Sequence, residues 1–256
     1  MPCNLPEPWQ QASRTPFTGG LTNRHWLLSS IEGRALLRQN SAALELGINR
    51  QAEHQLWQAA SEAGISPALI WQEGDWALSR FIDAPTGAAN TPARLIALLK
   101  AVNWLQGVEG AKLPLLPLRE RALALGATDG PWLAYRLVEA SPLPEVPAHV
   151  DLNPENCLWQ GERLWLIDWE YASLADPYYD LAAIVVSHEL APQRLCSAWR
   201  SLTGKVLVPE RLLAMCAIYA HLCECWCRHP QAGYLAYAAH YRKAWQHCLV
   251  ALAGVD

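Results

Sequence analysis

The sequence predicts an α+β protein of two lobes, a small β-rich N-terminal lobe over 1–83 and a larger, mainly helical C-terminal lobe over 84–256. Three observations predict it. Short strand-like runs separated by glycine-containing turns surround a single helical stripe before residue 83. The character of the chain changes at Ala84-Pro85-Thr86-Gly87. From Tyr178 onward the apolar residues recur mostly at helical spacing.

The elements follow in order. Arg24–Ser29 reads as a strand after the turn Gly19-Gly20, and Arg34–Arg38 as a second strand after Glu32-Gly33. Ile48–Ala63 has helical periodicity, with Ile48, Ala52, Leu56 and Ala59 on one stripe, and Gly64 ends it. Ala68–Trp71 and Trp76–Ile82 form a hairpin around Glu73-Gly74-Asp75. Thr91–Gln106 is a helix with Thr91 as N-cap and Pro92 at its first position. Pro114, Pro117, Pro142, Pro144 and Pro147 break up the next stretch. Asn156–Trp159 and Leu164–Ile167 are then two strands joined by Gln160-Gly161-Glu162.

Composition narrows the function classes. A chain of 256 residues, 52% of them hydrophobic, has material for a sizeable core. Charged residues make up 17%, the net charge is −4, and no basic stripe or tail points to nucleic acid. No apolar run reaches the ~18 residues of a transmembrane helix, and Met1–Thr18 has no apolar h-region. No membrane partner is expected, and a cytoplasmic location is. Four of the eight cysteines fall between Cys216 and Cys227. They read as small apolar residues on a buried helix; the competing reading, a thiolate metal site, lacks a second ligand pair at loop-like spacing. The first lysine of the chain is Lys100.

The segment His149 to Asp180 carries the chemistry. It reads H-V-D-L-N-P-E-N, then L-I-D-W-E-Y, then D-P-Y-Y-D. Phosphoryl transfer explains the pattern. Nucleotide phosphates need a divalent cation, and Mg²⁺ takes one or two protein oxygen ligands plus phosphate oxygens. Asn156 and Asp168 supply such oxygens, and Asp151 accepts the proton of, or orients, an attacking hydroxyl. A metal-dependent phosphohydrolase using His149 and Asp151 as ligands is a competing reading that leaves the N-terminal lobe unexplained.

This segment resembles the aminoglycoside phosphotransferase/choline kinase superfamily, relatives of the protein kinases, and in particular its bacterial choline kinase-like and thiamine kinase-like members. The resemblance spans nearly the whole chain and is specific over residues 149–180. It implies a two-lobed protein-kinase-like fold, ATP and Mg²⁺ as cofactors, Asp151 as catalytic base, and Asn156 and Asp168 as metal ligands. It also implies that His149 braces the catalytic loop and that Asp180 supports it from the following helix. Gly19, Gly20, Thr22 and Asn23 stand where the phosphate-covering loop of the family lies. Arg38 stands where kinase-fold enzymes usually place a lysine, with Glu53 as its helix partner. Arg80, Phe81 and Ile82 occupy the inter-lobe linker, whose backbone would hold the adenine ring.

For the acceptor, Asp168-Trp169-Glu170-Tyr171 resembles the form found in choline, ethanolamine and thiamine kinases. Trp169, Glu170, Glu224 and Trp226, with Tyr234, Tyr237, Tyr241 and Trp245, suit a cationic head group. Acidic residues are sparse after Asp180, which favours a small amino alcohol or thiamine-like alcohol over an aminoglycoside or amino sugar. A catalytically silent, nucleotide-binding relative is the reading of a different class. The absent lysine speaks for it, and the intact Asp151, Asn156 and Asp168 against it.

Overall fold

A computed structural model of the chain describes residues 4–18, 23–40, 48–230, 232 and 234–254. Strands β1 (Ser13–Phe17), β2 (Arg24–Ser30), β3 (Gly33–Gln39), β4 (Leu69–Glu73) and β5 (Trp76–Arg80) form one antiparallel sheet in the order β1-β2-β3-β5-β4. Helix α1 (Arg50–Glu62) lies between β3 and β4 in the chain. The Asn49 side chain caps it by accepting the Gln51 and Ala52 amides. The β4–β5 hairpin turns at Gly74, whose φ of +54° suits a residue without Cβ. β1 is not among the strands that the sequence predicts. It is an edge strand with mostly exposed side chains, so it shows no alternation, and its Pro16 is tolerated because β1 pairs on one side only.

The remaining elements are helical apart from two short ribbons. They are α2 (Pro92–Leu105), α3 (Leu118–Ala124), α4 (Trp132–Ala140), β6 (Val146–Ala148), β7 (Cys157–Gln160), β8 (Arg163–Leu166), β9 (Ser173–Ala175), α5 (Tyr179–Ser187), α6 (Pro192–Thr203), α7 (Pro209–Arg228) and α8 (Leu235–Ala253). Thr91 caps α2 through the Arg94 amide, with Pro92 at the first position. β7 pairs with β8, and β6 with β9. The prolines of residues 114–147 bracket α3 and α4 rather than abolish them: Pro114 and Pro117 precede α3, and Pro142 follows α4. None of the helices among the described residues is long and apolar enough to cross a membrane.

Two cores hold the molecule together. Leu5, Trp9, Leu28, Ala35, Leu37 and Leu78 form a small one on the sheet. The large one surrounds α5 and α7, and it also takes Leu56, Trp57 and Ala60 of α1. A boundary at 83/84 therefore separates sheet from helices, while packing gives the buried face of α1 to the helical core. Cys216, Cys225 and Cys227 are buried free thiols on α7, and Cys223 is half-buried there.

Candidate active site

The catalytic loop is built around one buried carboxylate. Asp180, on the first turn of α5, accepts the amides of His149 (2.8 Å) and Val150 (2.9 Å). Val150 has φ +74°, a strained conformation for a β-branched residue, and these two bonds hold it there. Burial pushes the Asp180 carboxyl up to about 6 against the opposing pull of the two amides. His149 is fully buried, and burial lowers it to about 4. Neutral, it donates Nε2–H to the Ile167 carbonyl (3.1 Å) and packs its ring against Trp169. The loop that carries Asp151 is thereby tied to the strand that leads to Asp168.

Asp151 is held at both oxygens. Oδ1 accepts from Asn153 Nδ2 and Oδ2 from Asn156 Nδ2, each at 2.8 Å. Asn156 Nδ2 also donates to the Asp151 carbonyl at 2.9 Å. Burial raises the Asp151 pKa, and the two amide bonds oppose the rise. Asn153 in turn accepts the Glu155 and Asn156 amides, closing the 3-10 turn Pro154–Asn156. Asn153 was legible only as half of an Asn-Pro pair, a turn signal without a role.

Asp168 sits just beyond β8 with φ +66°. Its Oδ1 is buried and makes no hydrogen bond; the nearest cation is Arg38 Nη1 at 3.6 Å. Burial and then the Glu170 charge push its carboxyl up to about 8, with Arg38 opposing. With its amide nitrogen committed to Asp151, Asn156 has Oδ1 left as ligand atom. Among the described residues no group of three His, Cys, Asp or Glu side chains is placed to hold a metal alone. One under-compensated carboxylate and one amide oxygen fit a cation that completes its shell with phosphate oxygens, as Mg²⁺ does.

Arg38 lies on β3. It is 6% exposed, paired with the fully buried Glu53, and reaches Asp168 with its other nitrogen. Its guanidinium lies 5.2 Å from the Trp57 ring centre. Desolvation lowers its pKa, but Glu53, Asp168 and Glu170 together outweigh that and raise it. The pair is therefore a buried one, not a surface ion pair. Arg50, which sequence reading missed, extends it: Nη1 bonds Glu53 (2.7 Å) and Glu170 (3.4 Å).

Two cavities meet at this loop. The first, about 670 Å³, lies between sheet and helices and is lined by Phe17, Asn23, Arg38, Arg80, Phe81 and Ile82, with Asn156, Asp168 and Glu170 on its floor. The second, about 430 Å³, is walled by Tyr179, Tyr219, Tyr234, Tyr237 and Tyr241, with Arg121 and Cys223. Asp151, Asn153, Glu155, Tyr171 and Trp226 line both. Gly19, Gly20 and Thr22 lie outside the described residues.

Three of the four residues expected at the acceptor are placed differently. Glu170 faces the first cavity, 3% exposed, and accepts from Asn23 Nδ2 at 3.2 Å. Trp169 is buried behind the loop and donates to Ser66 Oγ. Glu224 lines neither cavity: it is buried between α7 and α8, bound to Arg242 (2.7 Å) and Trp245 Nε1 (2.6 Å). Helical spacing alone gave no way to know that α8 would cover that face. Trp226 lines the second, aromatic-walled cavity as well as the first.

A family model described as the phosphotransferase enzyme family matches residues 13–204. The chain belongs to the phosphotransferase enzyme family. Over 145 residues it is 38% identical to the thiamine kinase of Salmonella paratyphi B, 54% of this chain and 53% of that one. Over 47 residues it is 49% identical to protein LicA of Haemophilus influenzae, 18% of each chain. The chain thus spans about half, or less than a fifth, of the curated relatives it matches. Choline kinase LicA of Streptococcus pneumoniae superposes with a TM-score of 0.74 at 18% identity, covering 92% of this chain and 91% of that one. A choline/ethanolamine kinase family protein of Mesorhizobium loti does so with 0.70 at 25% identity, covering 96% and 88%.

In this member of the family, His188 joins the inter-lobe segment to the loop that carries Asp151. The residue caps α5 and is 4% exposed; Nδ1 accepts the Ala89 amide (2.9 Å) and Nε2–H donates to the Leu152 carbonyl (3.2 Å). Only the neutral ring satisfies both. Burial lowers His188 to about 4, opposed by the Leu152 bond. Between pH 6.5 and 4 the unfolded chain binds a proton at this ring and the folded chain does not, so stability is lost as pH falls through that window. The loss reaches about 3 kcal/mol at most. Asp180 and Asp168, both raised, act with the opposite sign, so the readout is a difference. In urea titrations the stability margin of wild type over His188→Gln shrinks between pH 7 and pH 4.5. A margin that stays constant across that range rules the assignment out.

Proposed function

We propose that this protein transfers the γ-phosphoryl group of ATP to the hydroxyl of a small-molecule alcohol. The observation that carries the reading is the position of Asp151, at the junction of a nucleotide-sized cavity and an aromatic-walled one. An acceptor in the second cavity offers its hydroxyl to Asp151, which orients it and takes its proton as the oxygen attacks phosphorus. Asn153 and Asn156 fix the carboxylate so that one rotamer faces the junction. Mg²⁺, held by Asp168 and Asn156, would neutralise phosphate charge when bound. Arg38 adds a fixed positive charge at the same end of the cleft. On the adenine side, Phe17 and Phe81 are edge-to-face at 5.6 Å. The Arg80 and Phe81 amides donate to the Ala68 and Arg34 carbonyls and the Ile82 carbonyl accepts from the Ala84 amide, which leaves the Ile82 N–H for the ring.

The acceptor we favour is choline, ethanolamine or a thiamine-like alcohol. Of the residues around the second cavity only Asp151 and Glu155 are acidic, whereas six tyrosines and Trp226 line it. Recognition of a cationic or heteroaromatic head group by ring faces fits such walls, and a polyamine sugar would need more carboxylates. The similarity to thiamine kinases supports the same choice. The test is Mg²⁺-dependent ADP release with choline, ethanolamine, thiamine, kanamycin and glucosamine in parallel. We expect turnover with a member of the first three and at most a tenth of that kcat/KM with the amino sugars. Turnover with kanamycin or glucosamine alone moves the protein to amino-sugar phosphorylation. ATP binding without turnover of any acceptor makes it a silent relative.

A further inference from the structure

We propose that Arg121 is a further catalytic residue, its guanidinium meeting the oxygens of the phosphoryl group in transit past Asp151, with the Tyr171 hydroxyl as a neutral donor beside it. This rests on the kinase reading above.

Arg121 projects from α3 into the wall of the acceptor cavity, where Asp151 also stands. Arg119, two residues earlier, is spent on a two-pronged pair with Glu139 at 2.6 and 2.7 Å. Arg121 has no such carboxylate among the described residues. Its guanidinium instead lies 5.1 Å over the Tyr171 ring, and its charge acts on Asp151, Tyr171 and Cys223. A cation without a bound anion beside a general base is an unusual expense in a cavity meant only for a cationic alcohol.

The second observation is independent of charge. The Trp226 indole N–H turns towards Tyr171 Oη, while the buried Tyr171 hydroxyl finds no acceptor for its own proton; both residues line both cavities. Buried donors are nearly always satisfied, so a hydroxyl proton left over at this junction implies a ligand with an acceptor atom there. Phosphoryl transfer brings one. The bond from phosphorus to the ADP oxygen breaks, the bond to the acceptor oxygen forms, and the hydroxyl proton passes to Asp151. Negative charge spreads over the three remaining oxygens during this exchange. On the nucleotide side the fixed cation Arg38 is shared between Glu53 and Asp168. On the acceptor side Arg121 and Tyr171 supply a charge and an oriented dipole where the oxygens arrive, the arrangement that stabilises a transition state more than a ground state.

The experiment compares wild type with Arg121→Met, Arg121→Lys and Tyr171→Phe, on whichever panel alcohol the wild type turns over best. Arg121→Met should lose roughly 100-fold in kcat, with KM for ATP and for the alcohol each within 3-fold of wild type. Arg121→Lys should recover about a tenfold part of that loss, and Tyr171→Phe should lose about tenfold in kcat alone. A kcat within 3-fold of wild type for Arg121→Met overturns the assignment. So does a rise confined to the alcohol's KM, which would make Arg121 a binding residue. Equal losses in Met and Lys variants, both with lowered melting temperature, would make it structural and equally end the proposal. A wild type that binds ATP yet phosphorylates no alcohol overturns the kinase reading itself, and this assignment with it.

Discussion

Asp151→Asn lowers kcat by roughly 10³-fold and leaves the dissociation constant of Mg²⁺-ATP within about 3-fold. The rate falls because the amide cannot take the hydroxyl proton and presents one acceptor oxygen where there were two. Affinity survives because the geometry around it has a second anchor. Asn156 Nδ2 donates to the backbone carbonyl of residue 151 as well as to its side chain, and the substitution leaves that carbonyl in place. Asn156 therefore keeps its orientation towards the nucleotide cavity. Asn153 is less protected, since a single Oδ1 bond ties it to residue 151, but its own oxygen still caps the Pro154–Asn156 turn. Single-turnover chemistry and titration of the cleft with nucleotide measure the two quantities separately. Turnover near the wild-type rate would remove Asp151 from the role of base, and a matching loss of nucleotide affinity would mean that the loop had collapsed.

The sequence exposes this centre because its chemistry is local. Asp151 and Asn156 are five residues apart, and the Asn-Pro turn between them folds one side chain onto the other. His149 follows β6 and Asp168 follows β8, and the bond from His149 to the Ile167 carbonyl ties the two together. The strands and helices with caps or glycine turns were legible for the same reason: Gly64, Thr91 and Gly74 act within a few residues of themselves. What was not legible depends on distant partners. Glu224 is on an aromatic-rich helix, yet Arg242 and Trp245, some twenty residues later, decide that it faces α8. Glu170 belongs to the Asp168 segment, but Asn23 and Arg50 turn it towards the nucleotide cavity. Arg50 and His188 carry no motif at all; Arg50 matters here through its bond to Glu170 and His188 through its bonds to Ala89 and Leu152, all far away in the chain. Edge strand β1 lacked the buried alternation that periodicity detects.

The second large effect lies at Arg38. Arg38→Met should cost about 3–5 kcal/mol of stability, the range for stripping one partner from a buried ion pair. Glu53 is fully buried, so the lost guanidinium leaves a carboxylate with no water to turn to. Arg50 bonds its other oxygen and keeps the loss from going beyond that range. Asp168 loses its nearest cation at the same time, so Mg²⁺-independent binding of ATP should weaken as well. Arg38→Lys separates the two contributions. A guanidinium places one nitrogen on Glu53 and the other towards Asp168, whereas an ammonium is a single point of charge. Lysine should therefore restore most of the stability through Glu53, and less of the nucleotide affinity, because one short head cannot serve both carboxylates from the arginine's backbone position. Urea midpoints and nucleotide titrations of the three proteins read the two losses. An Arg38→Met protein within 1 kcal/mol of wild type would mean that water or Arg50 already compensates Glu53, and the pair would then be dispensable to the fold. A lysine variant equal to wild type in both measures would show that positive charge alone, and not the forked geometry, is what this position requires.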